Sequence, residues 1–222
     1  MTAHDLLLLI HILLFCYWLG GDIGVFYSSN IVVDSKASRE ARIVAGKIMV
    51  ACDLVPKLCM TLMLTTGGLL TTFFGVEHPV WQMAAIILLG PFWLTLVLLQ
   101  HYKHHASYIN NLVKFDFIFR CALIVIGLIS LCFAVINGKL NDNTWIAAKL
   151  SIFYLLVFCG LMIRLALKDF GPAYSKLIQG THTAVEDRAM LKAMNKAKPW
   201  VYTIWAGLIS AGAIGIAKPL FQ

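Results

Sequence analysis

The stretch LLLLIHILLFCYWLGGDIGVFYSS, residues 6–29, is apolar enough to dissolve in lipid, yet it holds a histidine, His11, and an aspartate, Asp22. Unpaired ionisable groups at such depth cost on the order of 3 kcal/mol, so they face a bundle interior, find partners and mark functional positions. An imidazole there either hydrogen-bonds to a neighbouring helix or binds a ligand, and a carboxyl there can carry a proton. Similar groups recur along the chain. Asp53 and Lys57 are four residues apart, as are Asp116 and Arg120, and both spacings put opposite charges on one helical face. Lys149 interrupts TWIAAKLSIFYLL, and His78 sits in GVEHPV between two apolar runs. In LLQHYKHHASY, His101 precedes His104 by three residues and His105 by four, the spacing by which two imidazoles share a metal or flank a ring. The same cluster suits a solvated helix C-terminus, where basic groups meet the negative end of the dipole.

These groups need a scaffold, and composition names its class. Hydrophobic residues fill 60% of the 222 positions and charged residues only 13%, against roughly 25% charged in a soluble domain. The excess apolar surface needs lipid as its solvent. Spans of about 20 apolar residues cross the hydrocarbon, and six qualify: about 5–28, 46–74, 81–102, 114–137, 144–167 and 199–217. The expected fold is all-α, a single polytopic membrane domain of six transmembrane helices. Pro56 and Pro91 fall inside the second and third spans, where kinks are expected. The first span lacks the basic n-region of a cleaved signal and is expected to be retained.

Basic residues set the direction of insertion. The connections after the first, third and fifth spans carry Lys36, Arg39, Arg42 and Lys47, then Lys103 and Lys114, then Lys168, Lys176, Arg188, Lys192, Lys196 and Lys198. The opposite connections carry Lys139 alone. Both termini are therefore expected outside (N-out and C-out), with Trp81 and Trp145 at the outer boundary as an aromatic belt. In EDRAMLKAMNKAKPW, Met190, Leu191 and Met194 share one side, which predicts an amphipathic helix over about 185–197 lying along the inner surface. At about 1.5 Å per residue, His11 and Lys149 lie at similar depths below the outer end, with His78 above them. Those three can meet near the outer side. Asp22, Asp53 and Lys57 gather in the inner half.

The first span, through HILLFCYWLGG, resembles the opening helix of two related groups of bacterial membrane proteins, the copper-resistance protein D family and the HemJ-type protoporphyrinogen oxidases. TWIAAKLSIFYLL is similar to a Trp-x-x-x-Lys-Leu segment of a later helix in those families, and LMLTTGG to a Thr-Gly near a helix end in the copper family. The resemblance implies a bacterial inner-membrane protein with b-type haem in the bundle and functional positions at His11 and Lys149. It departs from the HemJ pattern in two ways: VFCGLMIR lacks the further histidine expected after the lysine, and six spans replace four. A haem with different ligands follows more naturally than the family's own reaction. His11 is then one axial ligand and His78 the candidate second, with His101, His104 and His105 as further cofactor or metal ligands. Lys149 would face a propionate or an anionic substrate, and Asp22, Asp53 and Lys57 would carry protons inward.

Copper or other metal-ion transport is the alternative, with Met49, Met60, Met63, Cys52 and Cys59 as soft ligands on the second span. A third reading is a non-catalytic anchor subunit in a homo-oligomer or membrane complex. The expected partners are the lipid bilayer and a small-molecule or electron-carrier substrate. The net charge of +7 is scattered among loops and forms no nucleic-acid stripe. The six cysteines form no CxxC and read as small buried hydrophobes. Phosphate-loop, dinucleotide and HExxH motifs are absent, which excludes kinase, dehydrogenase and zinc-protease readings.

Overall fold

A computed structural model describes residues 1–103 and 106–217. The described chain is helical: α1 (Ala3–Val33), α2 (Arg39–Thr71), a 3-10 turn (Thr72–Phe74), α3 (Val80–Tyr102), α4 (Ile109–Ile136), a second 3-10 turn (Asn141–Asn143), α5 (Thr144–Ala166), α6 (Phe170–Gln179) and α7 (Ala184–Ala217). Six of these elements are long and apolar enough to cross a membrane. Their outer surfaces fit that reading, because residues such as Ile12, Leu88, Ile118, Ile129 and Phe133 are left exposed in numbers that only an apolar solvent tolerates.

The contacts close a ring. α1 packs on α2, α2 on α3, α3 on α4, α4 on α5, α5 on α7, and α7 returns to α1. Large side chains fill its interior, among them Trp18, Trp93, Phe153, Tyr154 and Leu208. The antiparallel α1–α2 seam is tightly packed around glycines. A Cβ on Gly21 would lie 2.6 Å from the Pro56 ring, and one on Gly24 would lie 3.0 Å from the Cys52 sulfur. Small residues at such crossings let two backbones meet, which is how helices associate without a hydrophobic driving force.

Several helices extend well past the lengths expected from hydropathy. The last two turns of α1, the start of α2, α6 and the first half of α7 build a second core around Val32, Val33, Ala45, Phe170, Leu177, Met190 and Met194. Arg42, only 2% exposed, ties it together. Its Nε donates to the Val32 carbonyl at 2.8 Å and its Nη2 bonds Asp187 at 2.7 Å. Arg39 donates to the Leu177 and Ile178 carbonyls at the C-terminus of α6, which Gly180 closes in the left-handed conformation, φ 76°.

One expectation changes here. Residues 185–197 are no separate surface helix: they are the first part of α7, which runs unbroken through Pro199. Met190 and Met194 do share a face, but they are buried in the second core, while Leu191 stays exposed. Of the two belt tryptophans, Trp81 is exposed but Trp145 is buried against Phe74.

Pro91 is accommodated by a specific device. The Thr65 hydroxyl on α2 donates to the Ile86 carbonyl of α3 at 2.7 Å and accepts the Gly90 N–H at 3.0 Å. A neighbouring side chain thus bridges the Ile86 carbonyl and the Gly90 N–H in the turn before the proline, one of the insertions into the helical ladder that accompany kinks.

Candidate functional site

His11 projects from α1 onto α2, where its Nδ1 and Thr66 Oγ1 are 2.8 Å apart. Thr66 is also within 3.1 Å of the Leu62 carbonyl and 3.2 Å of the Met63 carbonyl. A hydroxyl has one proton. Given to a carbonyl, it leaves the oxygen to accept Nδ1–H, and the free lone pair of the ring then sits on Nε2. The ring lies over Gly67, where a Cβ would come within 3.2 Å of its Cε1. Thr65, next to Thr66, bonds Gly90, the eleventh of the 23 residues of α3. His11 is the ninth residue of α1, and Thr66 lies five residues before the end of α2.

Lys149 comes from α5 and lies within electrostatic reach of His11. Its Nζ is 5.9 Å from the centre of the Trp145 ring, and it sits on Gly215 of α7, 2.9 Å from where a Cβ would be. Each polar group thus occupies the space left by a glycine on the adjacent helix. His78 goes elsewhere. Its Nε2 pairs with Thr71 Oγ1 at 2.7 Å, and Thr71 also donates to the Gly68 carbonyl. The two histidines hang from threonines five residues apart on α2.

A second group crosses the ring below. Asp22 of α1 lies within electrostatic range of Asp53 on α2, and Asp53 within range of Arg120 on α4. Both predicted i, i+4 pairs form. Lys57 donates to Asp53, and Arg120 Nε donates to Asp116 Oδ2 at 3.0 Å. Sequence spacing missed the third member. Arg164 of α5 bonds the same Asp116 oxygen at 3.0 Å, so a carboxylate with no exposed surface holds two guanidiniums. Arg120 also lies over the Trp93 ring at 5.3 Å. The available signal was Arg164 near the end of its span, where an arginine needs an anion or the interface.

The other predicted ligands are spread out. His101 lies in the last turn of α3, edge-on to Tyr102 at 5.0 Å; His104 and His105 lie outside the described residues. Among the described residues no three His, Cys, Asp or Glu side chains come together to hold a metal ion. Cys59 and Met60 are core residues at 5% exposure each. Only Cys59 and Cys159 are buried cysteines; Cys16 and Cys132 are exposed.

Outside the spans, the Tyr174 phenol is pushed above its ordinary range by burial. It fills the space over Gly46 and donates to the Ile43 carbonyl at 3.3 Å, fastening α6 to α2.

No family model matches the chain, and neither a curated protein nor a solved structure matches it. Fold and site together define a multi-pass membrane protein whose six spanning helices carry ionisable side chains, several of them bonded across helices.

Proposed function

We propose that this protein is a haem b-binding membrane protein of the bacterial inner membrane that moves electrons in step with protons, with His11 as the residue that would hold the haem iron. The observation that carries the reading is that the His11–Thr66 hydrogen bond engages Nδ1, so that Nε2 is the nitrogen left for a ligand; the same bond also suits a histidine that only ties α1 to α2. A second partner that takes Nδ1 fixes the tautomer and aims Nε2, as metal-ligating histidines require. The donor set favours haem over a bare ion. A copper or zinc site made only of protein groups needs three or four donors converging. A porphyrin brings four nitrogens of its own and needs one imidazole. Lys149 supplies a cation at the same site for a propionate or an anionic substrate. Bound haem would supply one-electron transfer. The chain's own part is to hold the ring, to exclude water with Leu14, Phe15 and their neighbours, and to carry protons by Asp22, Asp53 and Lys57.

The test is an absorption spectrum with metal analysis on detergent-purified protein from haem-supplemented cells. A Soret band with near-stoichiometric iron is expected. Copper without a Soret band would transfer the reading to metal transport, and neither metal would leave the anchor-subunit reading.

A further inference from the structure

Pro56 has no N–H, so the carbonyl of Cys52, four residues earlier in α2, lacks its helical donor. That carbonyl lies against α1, its oxygen 3.4 Å from where a Cβ on Gly21 would be. The next residue of α1 is Asp22, whose Oδ2 is buried and has no hydrogen-bond partner. Asp53, adjacent to Cys52 in sequence, puts a second carboxylate within electrostatic range of the first. Oxygen acceptors therefore gather on both sides of the α1–α2 seam. The nearby ammonium, Lys57, is bonded to Asp53 and leaves Asp22 Oδ2 without a donor. Buried acceptors without donors cost free energy until something positive or protic meets them.

From this we infer that Asp22, the released Cys52 carbonyl and Asp53 form a binding site for one small monovalent cation, a sodium ion or a hydronium. A multivalent ion fits poorly, since no three carboxylate, thiol or imidazole groups converge among the described residues. Access is provided on the Asp53 side, where the Asp53 and Lys57 side chains are 44% and 46% exposed although α2 is a membrane-spanning helix. Water from that opening completes the coordination, and Lys57 competes with the cation for Asp53. The site lies on the proton route proposed above but does not depend on haem at His11.

The experiment is thermal unfolding of the whole protein in detergent with increasing NaCl, against equal choline chloride, at several pH values. If sodium is the ligand, it raises the midpoint saturably and choline does not. If hydronium is the ligand, acidification raises the midpoint and sodium competes with it. Asp22→Asn weakens either response by about tenfold or more. Pro56→Ala keeps both carboxylates, returns an N–H to the Cys52 carbonyl and weakens the response as well. Lys57→Met removes the competitor and strengthens it. The inference is overturned if the parent shows neither response, or if Asp22→Asn, shown folded by circular dichroism, responds like the parent. A Soret band is unaffected by Asp22→Asn, so failure here and failure at His11 are distinguishable.

Discussion

His11 on α1 and Thr66 on α2 are 2.8 Å apart, across a seam that also brings Gly21 against Pro56. His11 and Thr66 are polar while Gly21 and Gly24 along the same seam are small, so the packing that joins the two helices also positions the imidazole. Thr66→Val keeps the shape and removes the hydroxyl. A double-mutant cycle with His11→Ala is expected to show a coupling of roughly 0.5–1.5 kcal/mol, the range of side-chain hydrogen bonds between membrane helices. Reversible unfolding in mixed micelles measures it, and strict additivity would remove the bond from the account.

Gly20 and Gly21 are adjacent but have opposite surroundings. A Cβ at Gly21 meets the Pro56 ring at 2.6 and 2.9 Å, whereas nothing lies within 4 Å of one at Gly20. Gly21→Ala is expected to destabilise by about 1–3 kcal/mol, because a proline ring cannot rotate away. Gly20→Ala should be neutral or slightly stabilising. Unfolding midpoints of the two variants in one detergent decide the matter.

Arg42 holds three helices through the Val32 carbonyl and Asp187. Arg42→Ala removes charge-assisted bonds from a buried position, at a cost on the order of 2 kcal/mol. The loss should fall on the second core, so limited proteolysis is expected to cut near α6 and the start of α7 before the ring unfolds. Cleavage rates unchanged from the parent would contradict this.

Tyr174 gives a pH signature. Burial raises its folded pKa above the ordinary value of 10, so the unfolded chain releases this proton first as pH rises. Stability from this group is complete below pH 10 and is lost as pH rises through the folded pKa. Tyr174→Phe should therefore show a shallower alkaline loss of stability than the parent. Gly46→Ala is far more severe, because its Cβ would lie 1.8 Å from the Tyr174 hydroxyl.

The spans were legible because twenty-residue apolar runs have few alternative fates. The i, i+4 pairs Asp53–Lys57 and Asp116–Arg120 were legible because helix geometry alone fixes them. Partners across helices were not. Thr66 for His11 and Arg164 for Asp116 depend on the register of one helix against another, and single-span periodicity does not encode it. The second core was hidden for a related reason. SKASREARIVAGK reads as a polar helical start of the second span, as α2 bears out, but nothing in it says that α6 and α7 pack there and bury Leu177 and Met190. The last span was expected to begin at about 199, whereas α7 begins at Ala184 and carries Pro199 as an interior residue.

The most direct measurement is the absorption spectrum of His11→Ala beside the parent, each with and without added imidazole. A Soret band in the parent, its loss in His11→Ala and its return with imidazole are the results predicted for a ring whose Nε2 ligates haem iron. A parent without the band, or a His11→Ala protein whose band is unchanged, would contradict the account.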